Sequence, residues 1–381
     1  PTNGNGDMTV LRNTSATRDN SSGLVELVGN NIPRLEYDGS CPSILLEPQR
    51  TNLLVNSVWA GGGSIPTGWS SLFSTGTSTA VASIKNPNVS AYRFVTSTQR
   101  QEFYQNITLA VNSITTISVY VESVTTPIIV SQMLRVSASA GGTGTVVYLK
   151  NNVVINSSTN VEAGNTYSLQ FTCTIADTFQ TRFGVGVGVA VTGDITLSMP
   201  QVERGATPIT PIAAYSTSFI PTTTTALTRN ADTISRDNIF SNGLITAAGG
   251  TWFVELNNNF ALTRDAAGTF QIGDLSGNNI SIKTTASNSR LAIVKNILGN
   301  QTVLYTTLTN IVKIAIKWNG TKLDIFVNGA KINLSEINRD FTTTNMDSLT
   351  TSIADVPRYV KSMMLFPAPL TDTECINLTT L

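Results

Sequence analysis

Histidine is absent from all 381 residues, so the groups able to do chemistry here are carboxylates, thiols and flat aromatic rings. Without an imidazole there is no Ser-His-Asp or Cys-His relay and no histidine-bearing zinc site. Cys41, Cys173 and Cys375 stand far apart, with no Cys-x-x-Cys spacing. That excludes a zinc ribbon and suits buried free thiols in a chain folded in a reducing compartment. Glycoside hydrolysis needs two carboxyls about 5–9.5 Å apart, and the single Glu-x-Asp of the chain is Glu36-Tyr37-Asp38. The turn aspartates Asp194, Asp265 and Asp274 are candidates for a calcium site, without any EF-hand spacing around them; no other cofactor is expected. Trp59, beside Gly61-Gly62-Gly63, and Trp69, after Pro66-Thr67-Gly68, are loop-borne rings suited to stack on a sugar. Trp252 and Trp318 lie inside strand patterns and read as core. Arg100 and Tyr104, in the stretch TSTQRQEFYQ, would line either a sugar-binding face or a solvent-facing strand.

The elements that must position these groups are strands. TTISVYVESV (115–124), NTYSLQFTCTI (165–175) and FGVGVGVAVTGDITLSMP (183–200) alternate with a period of two and are rich in Val, Ile, Thr and aromatics. Asn151-Asn152, Asn319-Gly320 and Asn328-Gly329 mark tight hairpin turns, the last two predicting a three-stranded meander over 310–333. The Gly faces of GVGVGVAV (184–191) require a close backbone, a bulky facing side chain or a ligand over them. Thr371 with Glu374 predicts a capped C-terminal helix. Short strands with frequent turns and almost no helical period point to sandwiches.

Charge is scarce and balanced. Charged residues make up 13% of the chain, with 24 basic and 24 acidic side chains, against about 25% charged in an average soluble protein. No basic field exists to recruit nucleic acid or an anionic membrane, and no run of eighteen apolar residues exists to enter a bilayer.

Four segments resemble a family of bacteriophage virion proteins of tail-fibre or head-fibre kind: LRNTSATRDNSSGLVELV (11–28), IPRLEYDGSCPSILLEPQRTNLL (32–54), MPQVERGATPITPIAAYSTSFIPTTTTALTRNADTIS (199–235) and MMLFPAPLTDTECINLTT (363–380). The family pattern runs directly from Gln-x-Glu-x-Gly into Thr-Ser-Tyr-Ile-Pro-Thr. Here residues 206–216 intervene, and Phe219 stands where tyrosine is usual. The resemblance implies an all-β chain of two β-sandwich domains: a carbohydrate-binding-module-like jelly roll and a concanavalin A-like, laminin-G-like sandwich. The expected division is an N-terminal arm over 1–50, the jelly roll over 51–215, a Thr-rich extended connector over 216–238 and the second sandwich over 239–381. Hydrolases of the concanavalin A-like fold that resemble bacterial β-glucanases carry Glu-x-Asp-x-x-Glu on one strand. Here Cys41 occupies the place of the last carboxylate, so the reading is not an enzyme.

The expected function is a structural virion protein, made in the host cytoplasm, that projects from the particle surface and binds host-surface glycans. The resemblance further implies a homotrimer and attachment to other virion proteins through the N-terminal region. Alternatives are a purely architectural fibre or decoration protein and a polysaccharide depolymerase. The segment ILLEPQRTNLLVNS (44–57) reads as a junction: Ile44–Leu46 end the arm and Leu53–Val55 begin the jelly roll, with Pro48 breaking the ladder between them. Glu47 or Arg50 is expected to clasp the PQVERGA stretch through Gln201 and Glu203.

Overall fold

The computed structural model describes residues 8–38, 41–73, 76–97, 100–186, 191–205, 215–246, 248–257, 268–273, 279–285, 290–296, 300–305, 311–319, 322–332, 337–338, 347–353 and 358–381. They form an all-β fold of two sandwiches, each discontinuous in sequence. The first takes residues 14–27 and 49–230, the second 8–13, 28–48 and 231–381.

In the first sandwich a nine-stranded and a four-stranded antiparallel sheet enclose the core. Alternate residues of each strand point inward, as the period of two requires. Ile117, Val119, Leu169, Phe171, Ile195 and Leu197 come from the larger sheet. Phe103, Ile107, Leu134, Phe179 and Phe183 come from the smaller one, and all are buried in one cluster. The hairpin at Asn151-Asn152 forms between Thr143–Lys150 and Val153–Ile155, and both asparagines adopt positive φ, 47° and 64°. Gly184 (φ +139°) explains the start of the glycine alternation. A Cβ there would come within 2.3 Å of the Gln101 carbonyl oxygen and 2.9 Å of the Glu102 Cα, so a close backbone demands glycine. Gly188 lies outside the described residues.

The second sandwich packs a seven-stranded sheet on an eight-stranded one. Its core joins Phe270, Ile272, Ile280 and Leu349 to Trp252, Val254, Ile314, Trp318 and Ile325. The meander runs from Ile311–Asn319 to Lys322–Val327 to Ala330–Lys331, its second turn carrying Asn328 and Gly329 at φ 46° and 81°; Gly320 of the first turn lies outside the described residues. Thr371 caps the helix Asp372–Thr379, the Glu374 amide donating to its hydroxyl at 3.2 Å while its own amide donates to the Glu374 carboxylate at 2.8 Å.

Asp347 ties a loop of this sandwich, accepting from the Phe240 amide (2.7 Å), the Ser241 amide (2.9 Å) and the Ser241 hydroxyl (2.6 Å). Burial raises its pKa, but these bonds outweigh burial and hold the carboxyl below the ordinary aspartate range. A depressed folded-state pKa contributes stability that is complete above the unfolded value, about 3.9, and lost as pH falls through the folded value. Asp347→Asn should therefore flatten the loss of stability below about pH 4 in acid-unfolding curves. Superimposable wild-type and variant curves would refute the linkage.

Two expectations about organisation are corrected. The described part of residues 1–50 is not a separate arm: Thr9–Leu11 pairs with Thr233–Asp237, and the hairpin Leu35–Asp38/Cys41–Leu46 extends the eight-stranded sheet beyond Arg358–Phe366. The alternating apolar residues of this stretch, Leu35, Ile44 and Leu46, fit a sheet that needs an edge. Residues 216–238 are likewise not an extended tether. Leu227–Arg229 pairs with Arg50–Asn52 in the first sandwich, and Thr233–Asp237 pairs with Ser348–Ile353 in the second. Ahead of them, the Ile220 amide donates to the Gln201 carboxamide (2.6 Å) and the Thr222 hydroxyl to the Leu54 carbonyl (2.7 Å). Thr222 serves here as a buried hydrogen-bonding side chain, a role that composition alone cannot separate from a linker.

Candidate functional site

Glu47 and Arg50, three residues apart, enter different buried clusters. In the second sandwich Arg34 donates to Glu47 at 2.6 Å and also to Asp232, while Arg12 donates to Asp232 at 2.9 Å. The Arg12 guanidinium reaches the Gly29 carbonyl at 2.6 Å, and the Glu47 amide donates to Asp232 at 2.9 Å. Two cations face two anions with side chains at most 3% exposed. Burial works against the Arg34 charge, and the carboxylates of Glu47 and Asp232 override it and strengthen its hold on the proton. In the first sandwich Arg50 pairs in register with Gly205, Thr51 with Arg204 and Asn52 with Glu203. Burial pushes Glu203 up, against hydrogen bonds from Thr217 and the charges of Arg50 and Arg229. Gln201 receives the Ile220 amide. Of the two residues expected beside the 201–204 stretch it is Arg50, through its strand, that lies against it, whereas Glu47 is held by Arg34 with its amide on Asp232. Leu53–Val55 is not a strand either; the strand at this point is Arg50–Asn52.

The tryptophan expectation is also corrected. Trp59 is 0% and Trp69 7% exposed, so neither ring offers a face to a sugar. Asn56 closes the loop beneath them, its side chain accepting from the Ala60 amide (2.8 Å) and donating to the Ala60 and Thr67 carbonyls (2.8 and 2.7 Å). Trp69 Nε1 donates to the Asn56 carbonyl at 3.0 Å. The glycines that suggested an exposed loop allow the chain to turn back and bury both rings.

Arg100 and Tyr104 have a different setting. The four-stranded sheet runs in the order Leu134–Ala138, Asp177–Val185, Gln101–Leu109, Ser70–Phe73. Residues opposite one another in antiparallel strands share a face, and Phe103, Phe179, Phe183 and Leu134 occupy the inner one. The outer face therefore carries the intervening residues in rows. One row spans all four strands: Arg135, Arg182, Tyr104, Ser70. Beside it lie Gly184, Glu102 and Leu72 on one flank and Ser137, Gln180 and Asn106 on the other. Three gaps of about 4.8 Å make this patch roughly 14 Å wide.

The groups on it are oriented. Arg135 grips Glu102 with a fork, at 2.9 and 2.7 Å to one carboxylate oxygen and 2.6 Å to the other, and the Glu102 side chain is fully buried. To reach it from the outermost strand, the Arg135 side chain crosses the middle strand between Arg182 and Gly184. Arg182 donates from Nε (3.1 Å) and a terminal nitrogen (2.6 Å) to the Gln180 carboxamide oxygen. Burial lowers the proton affinity of Arg182; Glu102 opposes that, and the like charges of Arg135 and Arg100 add to it. Tyr104 is partly exposed and Arg100 exposed.

No family model matches this chain. No curated protein matches it either. Among solved structures, similar ones include the receptor binding domain of botulinum neurotoxin C/D mosaic serotype, at 10% identity and TM-score 0.32, over 39% of this chain and 40% of that one. Another is the binding domain of botulinum neurotoxin DC in complex with SialylT, at 13% identity and TM-score 0.32, over 39% of each chain. At scores this low the likeness says nothing about a ligand or an activity of this chain.

What the outer face can do chemically follows from its groups. A phenol ring, planar carboxamides, hydroxyls and guanidinium forks recognise hydroxyl-rich ligands by stacking and by paired hydrogen bonds. Among its described residues the one carboxylate, Glu102, is buried and held by Arg135, so it is placed neither as a nucleophile nor as a general acid. For calcium, Asp194 is engaged by Arg93 (2.8 Å), which holds its carboxyl below the usual range. Asp265 and Asp274 lie outside the described residues, and no cluster of three potential metal ligands occurs among the described ones. Cys173 and Cys375 are buried, whereas Cys41 is exposed, against expectation: it begins its strand at the end of the hairpin, beyond the residues 44–46 that pair with Arg358–Phe366.

Sequence reading missed Arg135, Gln180 and Arg182. The signal was present in DTFQTRF (177–183), where Thr178, Gln180 and Arg182 alternate with Phe179, Thr181 and Phe183. That is a half-buried strand whose open face is planar and polar.

Proposed function

We propose that this chain is a non-enzymatic saccharide-binding protein of a bacteriophage particle surface, binding through the outer face of the four-stranded sheet. The observation that carries the binding reading is the cross-strand row Arg135, Arg182, Tyr104, Ser70, flanked by Gln180 and Asn106. It sets a ring and fixed planar donors and acceptors on one rigid sheet surface. Placement on a virion, self-association as a homotrimer and contact with other virion proteins are supported by the resemblance of the four segments to fibre proteins. Weak single-site binding would be strengthened by many copies on one particle.

A glycan array probed with the full chain tests the reading. Bound saccharides should be released by Tyr104→Ala, with affinity about tenfold weaker from the lost stacking. Silence of the wild-type chain across the array would sink saccharide binding and favour the architectural alternative. Release of reducing ends from a bound polysaccharide would instead support a depolymerase.

A further inference from the structure

We infer that the saccharide taken by the four-stranded face is acidic: its anionic group, a carboxylate or sulfate, docks on Arg182 and Arg100 while a sugar ring lies against Tyr104. This inference rests on the saccharide-binding reading and narrows it to a substrate class.

The grounds are the charge and hydrogen-bond inventory of the face. In a chain with equal numbers of acidic and basic residues, the described residues of this face bring three arginines around one carboxylate. That carboxylate is consumed. Glu102 is fully buried and receives three hydrogen bonds from Arg135, so it neutralises Arg135 and fixes it. Arg182 lies next to Arg135 in the same row, and its guanidinium donates to a neutral acceptor, Gln180. Gln180 sits two residues along the same strand and sets the plane of the guanidinium without matching its charge. Arg100 approaches from the strand end: a Cβ on Gly186 would lie 2.5 Å from the Arg100 Cβ and 3.0 Å from the Glu102 Cδ. Burial and the like charges of Arg135 and Arg100 act against the Arg182 charge, and Glu102 acts for it. A guanidinium whose Nε edge is held by a neutral partner keeps the edge between its two terminal nitrogens as a preformed fork for an oxyanion, which guanidinium binds in bidentate fashion. Tyr104, the direct cross-strand partner of Arg182, places a ring beside that fork.

The test uses the full chain and matched saccharide pairs on an array, followed by titration calorimetry: hexuronate oligosaccharides with their carboxyl-reduced counterparts, sialylated glycans with their desialylated forms, and sulfated glycans with their desulfated forms. The acidic member of at least one pair should bind, its neutral counterpart should bind on the order of 10- to 100-fold more weakly, and added salt should weaken the acidic one. Which pair responds tells carboxylate from sulfate. Arg182→Gln should lose on the order of 10-fold or more in affinity for the acidic ligand, with Arg182→Lys recovering only part of it. Arg100→Gln, at an exposed position, is the second variant and should act in the same direction with no effect on folding. Arg135→Gln is unsuitable, because it would strand the buried Glu102. Equal binding of neutral and acidic members, or an Arg182→Gln variant that binds like wild type, would overturn the inference and leave saccharide binding standing. No binding by any member would overturn both.

Discussion

Asp232→Ala should destabilise the second sandwich by about 3–5 kcal/mol, the usual cost of removing one member of a buried, hydrogen-bonded ion cluster. Asp232 receives Arg12, Arg34 and the Glu47 amide. Its loss leaves two guanidiniums with fully buried side chains sharing one carboxylate. Two uncompensated effects act together: an unpaired buried charge, and a backbone N–H of Glu47 without its acceptor. Hydrogen exchange read by mass spectrometry is the suitable measurement, because a two-sandwich chain need not unfold in one step. Peptides covering Gly249–Asn257 and Ile311–Asn319 should exchange faster by two to three or more orders of magnitude, roughly the stated free energy. The double variant Arg12→Met/Asp232→Ala restores the balance of one cation and one anion, and should lose less than the sum of the two single variants. Additive losses would show that charge balance is not what holds this cluster.

That cluster shows what was legible in the sequence and what was not. The strand pattern, the sandwich class and the Asn-Gly meander follow from local rules: a period of two, β-branched residues and turns needing positive φ. The division of the chain does not. Leu35–Asp38 and Cys41–Leu46 form a hairpin where the sequence suggests the end of an arm, and nothing local says which sheet it completes; the outer partner of Cys41–Leu46, Arg358–Phe366, lies more than three hundred residues away. The same holds for Glu47 and Arg50. Both were legible as residues needing partners, since charges between two apolar runs must be paired when buried. Their different partners, Arg34 for Glu47 and the Glu203 strand for Arg50, are set by where the chain passes from one sandwich to the other, between 48 and 49. A fragment starting at residue 240 would consequently lack the Leu35–Asp38/Cys41–Leu46 hairpin of its own eight-stranded sheet, which is why the binding experiments require the full chain.

For the candidate site, the sequence exposed one strand of the face and hid two others. Arg100 and Tyr104 stand in a stretch mixing charge and aromatics, which draws attention. Arg135 and Arg182 stand in ordinary half-buried strands. Their meaning comes from register alone, which sets Arg135 opposite Arg182 and Arg182 opposite Tyr104. Composition pointed elsewhere, to the two loop tryptophans, because glycine-rich loops and exposed rings often coincide. Here the glycines let the loop close over the core.

Trp59→Ala should destabilise the first sandwich by about 3–5 kcal/mol, as for other large-to-small changes in a closed core. Trp59 is fully buried and meets four aromatic rings edge-on: Trp69 (5.7 Å), Tyr92 (5.6 Å), Phe94 (6.2 Å) and Phe103 (5.9 Å). Such edge-to-face contacts add to area burial. The site cannot collapse around the cavity, because Trp59 sits at φ 51° and Asn56 at φ 53°, in a loop cross-braced by the Asn56 side chain. Exchange of peptides covering Gln101–Leu109 and Asp177–Val185 should accelerate, and Trp59→Phe should cost less. The same variants separate packing from recognition. Phe103, which Trp59 supports, is on the inner side of the strand whose outer side carries Glu102 and Tyr104, so Trp59 acts on the face only through the sheet. At temperatures where Trp59→Ala remains folded, its saccharide affinity should stay within about twofold of wild type, whereas Tyr104→Ala should weaken binding about tenfold and leave exchange nearly unchanged. A folded Trp59→Ala variant that no longer binds would restore this ring as part of the recognition surface.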